Sequence, residues 1–289
     1  MVVRLLLLAT LLGCTYYEDV IQSSPVDGGV LDASVDAPLV DAALDTFFAD
    51  ASSDTPDDAA DTPPSAFELS YAFDEGEGTQ VFSSNPDSPS PLQVLDPSAV
   101  RWIDGAMVIE SPTTLRAEPP LAFYEACVQS GELTVEAWVT PAERTPTSAR
   151  IMSSSIGSDQ RNFTLDQGNL LLEDRGSTMY VGRIRANDTT TPNGIPGIRT
   201  ETGVARTALT HIVMVRTGSG RLRIYVDGVL VANEVHDGDF GEWDPTFPLL
   251  VGNENTSGAA WLGEVHALRL RSRAWSGFEV REHRRLGPE

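Results

Sequence analysis

The chain has 289 residues and a formal net charge of −22, and each of its 20 basic residues is arginine. An acidic balance of this size repels nucleic-acid phosphates and anionic lipid headgroups, which excludes partners held by bulk electrostatics. Only two cysteines occur, Cys14 and Cys127, so stability must come from a core and not from a disulfide framework.

At the N-terminus Arg4 supplies a charged start, and Leu5 to Leu12 form an apolar run short of the about 20 residues that a spanning helix needs. The closing residues Leu11-Leu12-Gly13-Cys14 resemble the processing site of bacterial lipoproteins. The resemblance implies that residues 1–13 are a removed signal peptide and that Cys14 carries diacylglycerol and an N-acyl group, enough chains for stable anchoring. Thr15 stands where lipoproteins retained in the inner membrane typically carry Asp, so the implied destination is the outer membrane or cell surface. With Cys14 acylated, Cys127 has no disulfide partner, and its neighbours Ala126 and Val128 suggest a buried, inert thiol.

Residues 14–66 read as the lipidated cysteine and an acidic linker. Positions 15–66 hold 12 of the 42 acidic residues and none of the 20 basic ones. Asp27, Asp32, Asp36, Asp41, Asp45, Asp50 and Asp54 recur every four or five residues. Such a segment has little to bury and much like charge to separate, so disorder is expected. The glycine-rich nonapeptide of calcium-binding β-helices is missing, since only Gly28 and Gly29 occur here. As a flexible coil, 52 residues would span roughly 40 Å root-mean-square, the dimension of a stalk.

From Phe67 the composition changes to short alternating strands punctuated by Gly, Pro, Asn and Asp, and all five tryptophans lie there. Residues 67–289 are read as one domain, a usual size for a large β-sandwich. In Leu133 to Val139, the residues Leu133, Val135, Ala137 and Val139 share one face, and Thr134, Glu136 and Trp138 share the other, expected to be half exposed. Thr210 to Arg216 and Arg221 to Val226 form a hairpin through Thr217 to Gly220. Asp227-Gly228 then turns the chain into Val229 to Ala232, giving a three-stranded meander. Leu249 to Gly252 and Val265 to Arg271 add two strands. The only helical signal is a short turn near Ser276 to Arg284.

These residues resemble the laminin G-like jelly rolls of the concanavalin A-like lectin and glucanase superfamily. The resemblance begins at Tyr71-Ala72-Phe73-Asp74-Glu75-Gly76-Glu77-Gly78-Thr79 and continues through Glu132 to Pro141 and Ile224-Tyr225-Val226-Asp227-Gly228. It closes with Trp261-Leu262-Gly263-Glu264-Val265 and Arg273-Ala274-Trp275-Ser276. Further segments, among them Arg161-Asn162-Phe163-Thr164-Leu165 and Gly252-Asn253-Glu254, are similar to a bacterial subgroup attached to secreted or surface proteins. The implied fold is all-β, a jelly-roll sandwich of two antiparallel sheets. The implied role is a non-catalytic module binding an extracellular glycan or protein, with a carbohydrate-active enzyme or a structural envelope protein as the alternatives.

The residues bear on those alternatives. The glucanase arrangement Glu-x-Asp-x-x-Glu is absent, and Glu132 and Glu136 lie about 13 Å apart along a strand, too far for a retaining pair; both read as solvated outer-face positions. His211, His236, His266 and His283 lack zinc spacing, and His211 reads as a packing residue. The family often binds calcium through loop oxygens, and by that resemblance Asp74 and Glu264 are the candidates for a structural ion. Asn193, Trp243, Asn253, Glu254 and Trp261 are the candidates for ligand contact, since sugar sites combine an aromatic face with a few fixed polar groups. The expected molecule is a monomer that meets the membrane only through its lipid and binds no nucleic acid.

Overall fold

The computed structural model describes residues 66–86, 89–143, 148–168, 178–187, 192–256 and 258–288. The leader, Cys14 and the acidic segment to residue 65 lie outside the described residues. In chain order the strands are β1 (Glu68–Tyr71), β2 (Gln80–Val81), β3 (Leu92–Val94), β4 (Val100–Ile103), β5 (Ala106–Ile109), β6 (Leu115–Ala117), β7 (Leu133–Pro141) and β8 (Ala149–Ser155), followed by β9 (Arg161–Gln167), β10 (Tyr180–Ile184), β11 (Ile198–Arg199), β12 (Thr210–Arg216), β13 (Arg221–Val226), β14 (Val229–Val235), β15 (Leu249–Val251) and β16 (Gly263–Arg271). Helix α1 (Leu121–Ser130) precedes β7, and α2 (Gly277–Leu286) follows β16.

The strands form two antiparallel sheets, the expected jelly-roll sandwich. The first runs β14-β13-β12-β7-β16-β5-β4, with β1 also paired to β16. The second runs β11-β10-β9-β8-β15-β6-β3-β2. The meander β12-β13-β14 forms as its alternation and turn residues require. Asp227 and Gly228 adopt φ of 51° and 82°, the paired left-handed conformation of a two-residue hairpin.

Between the sheets lies one apolar core, to which β7 contributes Leu133, Val135, Ala137 and Val139 and β9 contributes Phe163 and Leu165. Helix α1, for which the sequence reading has no counterpart, packs Phe123, Tyr124 and Cys127 against this core. It starts directly after Pro119-Pro120 and ends on Gly131 at φ 67°, so a proline start and a glycine stop bound it. Burial pushes the Cys127 thiol up, which keeps it protonated and inert.

The opposite face of β7 departs from the expected half exposure. Thr134, Glu136 and Trp138 are buried, and the reading of Glu136 as a solvated residue is corrected: it is 0% exposed. The cause is α2, longer than the short turn read in the sequence. Trp275 and Val280 pack on Val213, Val215 and Tyr225 of β12 and β13 in a second apolar cluster. A capping box fixes the start of α2, with the Ser276 hydroxyl accepting from the Glu279 amide and the Glu279 carboxylate accepting from the Ser276 amide. Beneath the helix, Glu136 accepts from His211 Nε2 at 2.8 Å, Arg269 Nη1 at 2.9 Å and Trp138 Nε1 at 3.3 Å, and His283 Nδ1 of α2 stands 3.5 Å away.

Two carboxylates therefore tie α2 down, and both prefer their charged form. Burial opposes ionisation of Glu136, but hydrogen bonds from His211 and His283 and the charge of Arg269 outweigh it and hold the carboxyl well below the usual range. At Glu279 burial is likewise outweighed, by Arg273 and the Ser276 amide, and the carboxyl is held down to about 2. A depressed folded pKa contributes stability that is complete above the ordinary value of 4.5 and fades as pH falls through the folded value. The protection of the 277–286 amides, exchange corrected for the intrinsic rate at each pH, should accordingly stay constant above pH 4.5 and fall steadily toward pH 2. Protection lost on the alkaline side instead would contradict the assignment.

Candidate functional site

The outer face of the second sheet carries the densest polar cluster outside the α2 interface. Alternation along β9 sends Phe163 and Leu165 into the core and Thr164 and Asp166 to the other side. The β8–β9 pairing slips between Ser154 and Ser155, so that Phe163 faces Ser154 while Arg161 faces Ser155, with Asn162 as the extra residue. A one-residue bulge reverses the side-chain direction. Arg161 consequently joins Thr164 and Asp166, and Asn162 turns inward to donate to Ser154 Oγ at 3.1 Å and to the Asp244 carbonyl at 2.9 Å.

Arg150 of β8 pairs with Asp166 at 2.8 Å and with Glu254, from the loop after β15, at 3.5 Å. Asp166 also accepts from Thr164 Oγ1 at 2.9 Å. Ser153 and Ser155 exchange a hydroxyl hydrogen bond at 3.0 Å. On β10, Arg183 donates to Asn193 Oδ1 at 3.5 Å. Arg161 donates through Nη2 to the Ser158 carbonyl, while its Nε and Nη1 are buried and have no partner among the described residues. Burial and the nearby Arg150 push the Arg161 guanidinium down to about 10, and burial lowers Arg183 as well. An arginine keeps its charge at neutral pH.

Loops close around this face. The Arg161 amide donates to the Pro192 carbonyl at 3.1 Å, Asn255 donates to the Ile156 carbonyl at 3.4 Å, and Arg116 of β6 donates to Asn255 at 2.8 Å. The result is a recessed set of guanidinium, carboxylate, amide and hydroxyl groups, the donor and acceptor mixture that orients a polar ligand.

The sequence candidates divide between this face and the core. Asn193 and Glu254 touch its arginines directly. Asn253 sits beside them, its Oδ1 accepting from the amides of Glu254 at 2.9 Å and Ala259 at 3.1 Å, which shapes the loop. Trp243 stacks on Phe240 at 4.4 Å and donates to the Arg185 carbonyl at 2.8 Å. Trp261 lies in the core, 1% exposed, and donates to Gln167 Oε1 at 2.7 Å. Asp74 is exposed, and Glu264 lies 3.2 Å from His266 Nε2. Among the described residues no group of three or more His, Cys, Asp or Glu is placed to hold a metal ion. The sequence reading did not single out Arg150, Arg161, Asp166 or Arg183 as site residues; their only signal is a charged side chain within a strand.

The described residues contain no helix long and apolar enough to cross a membrane. A family model described as the concanavalin A-like lectin/glucanases superfamily matches residues 117–281, more than half of the chain. No curated protein matches. Among solved structures, domain 4 of AbnA, an extracellular GH43 arabinanase from Geobacillus stearothermophilus solved with arabinotriose, is similar at 15% identity and a TM-score of 0.52, covering 74% of this chain and 96% of that one. Trypanosoma rangeli sialidase is similar at 14% identity and a TM-score of 0.52, with 74% of this chain covered but only 32% of the sialidase. The binding domain of botulinum neurotoxin DC, solved with rat synaptotagmin II, is similar at 7% identity and a TM-score of 0.54, covering 75% of this chain and 51% of that one. At these identities the likeness is one of fold.

Proposed function

We propose that this chain, which belongs to the concanavalin A-like lectin/glucanases superfamily, is a non-catalytic binding protein whose ligand is a glycan outside the cell. The observation that carries the reading is the contrast between the two sheets. Helix α2 covers β7, β12 and β13 on the outer side of the first sheet, whereas the outer side of the second holds a built polar cluster walled by loops, where Arg150, Glu254 and Arg183 keep 5–6% exposure. Neighbours of similar fold solved with an oligosaccharide support a glycan in preference to a purely structural role.

A catalytic role finds less support in the same groups. Glycoside hydrolysis needs one carboxylic acid kept protonated by a raised pKa beside a second free carboxylate. On this face Asp166 and Glu254 are both engaged by Arg150. Among the described residues the carboxylates displaced from their ordinary range, Glu136, Asp244 and Glu279, are all displaced downward. The domain is displayed on a lipid anchor at Cys14 by the acidic stalk, a reading supported by the Leu11-Leu12-Gly13-Cys14 motif and by the linker composition.

Incubation of the whole chain with a panel of soluble polysaccharides and oligosaccharides tests the reading. Saturable binding with no shortening of the bound glycan is expected. Release of shorter products would assign an enzyme, and no retention of any glycan would move the search to protein partners.

A further inference from the structure

We propose that the cluster on β8, β9 and β10 is a subsite for a carboxylate-bearing sugar, a uronic acid residue within an acidic glycan; the inference rests on the glycan-binding reading and gives it a substrate class. The argument begins with a count of charges. Arg150, Arg161 and Arg183 supply three positive charges, and Asp166 and Glu254 supply two negative ones, both engaged by Arg150. Among the described residues neither Arg161 nor Arg183 forms an ion pair, so the described cluster holds one cation more than its carboxylates balance.

That surplus is buried. Arg161 is 0% exposed with two of its nitrogens unpartnered among the described residues, and Arg183 is 6% exposed with one hydrogen bond among them, at 3.5 Å, to a neutral amide. An enclosed cation without a counter-charge is strongly disfavoured. A fold that places one there through a strand bulge has built a receptor for an anion.

The surroundings select among anions. One surplus charge is balanced by a monoanion, and a guanidinium matches the planar carboxylate through parallel N–H donors. A doubly charged phosphate would add repulsion from Asp166 and Glu254. The rest of the face is suited to a sugar ring: Ser153, Ser155 and Thr164 hold hydroxyls, Asn193 an amide, and Glu254 a carboxylate that accepts from ligand hydroxyls. Arg150 and Glu254, each 5% exposed, and Arg183, 6% exposed, keep a little contact with solvent, whereas Arg161 has none. The overall negative charge does not forbid the ligand, because beyond about 8 Å it is screened at physiological salt.

The test uses the whole chain and four probes: oligogalacturonate, alginate oligomers, oligogalacturonate converted to its methyl ester, and sodium acetate alone. At least one acidic oligomer should be retained and stabilise the chain to heat. The methyl ester, which keeps every hydroxyl and loses the charge, should bind about tenfold more weakly or worse, the worth of one charge-assisted hydrogen bond. Arg183→Gln should lose the preference for acid over ester. Equal affinity for acid and ester would overturn the inference while leaving glycan binding intact, and acetate binding as tightly as the oligomers would overturn the sugar. Failure of these probes alongside retention of neutral glycans would likewise sink it, whereas no retention of any glycan would bring down the parent reading too. Should Arg183→Gln fail to fold, the comparison of acid with ester on the unaltered chain decides alone.

Discussion

Replacing Glu136 with Ala is expected to destabilise the domain by about 3–5 kcal/mol, the usual consequence of removing one member of a buried ionic network. Glu136 is fully enclosed and accepts from His211, Arg269 and Trp138, with His283 reaching it from α2. Without the carboxylate, Arg269 loses a counter-charge at 8% exposure and the stacked His211–Trp138 pair loses its common acceptor. Because His283 belongs to α2, the helix should release before the sandwich opens. Urea unfolding followed by tryptophan emission should show an early phase from Trp275, whose ring lies 3.9 Å from that of His283. Glu136→Gln, which retains an acceptor, should cost less. A loss below about 1 kcal/mol for Ala would mean that the network is no more than a solvated surface set.

The second large effect is expected at Trp261. Truncation to Ala should cost about 3–5 kcal/mol, as for other large buried aromatics. Trp261 is 1% exposed, its indole N–H is spent on Gln167, and its ring lies against Gly263. Gly263 itself has a φ of 146°, and a Cβ there would run into the Thr140 carbonyl, so the start of β16 has no room to shift. A tryptophan that serves as a sugar platform behaves differently: its loss weakens binding and leaves the melting temperature nearly unchanged. Thermal unfolding of Trp261→Ala separates the two, and an unchanged melting temperature would return Trp261 to the ligand surface.

Much of the sandwich is legible in the sequence because the physics there is local. The meander is specified by period-two alternation in Thr210 to Arg216 and Arg221 to Val226 and by an Asp-Gly turn that only left-handed residues can make. Where long-range contacts decide, the sequence is silent. Alternation places Glu136 on the outer face of β7, but nothing local says that α2, about 140 residues later, will cover it. Helix α1 is hidden because its apolar face, Phe123, Tyr124 and Cys127, spans little more than one turn and the exposed Leu121 and Val128 blur it, although its proline and glycine boundaries are present.

The candidate face shows the same division. Asn193, Asn253 and Glu254 can be picked out as polar loop residues, and the structure places them on or beside the cluster. Arg161 could not be, because a plain count of alternation puts it with Phe163 and Leu165, inside the core. Only the bulge at Asn162, a property of the pairing with β8, turns it outward. Arg150, Asp166 and Arg183 come from three strands and become a site only when the register aligns them.

The measurement that tests this account most directly is amide hydrogen exchange of the whole chain with and without a glycan that it retains. Slowed exchange is predicted in 150–166, 180–184 and the loop at 253–256, with β12, β13 and α2 unaffected. Slowed exchange confined to β12–β14 or α2, with β8–β10 unchanged, would place the ligand on the other sheet and contradict the assignment.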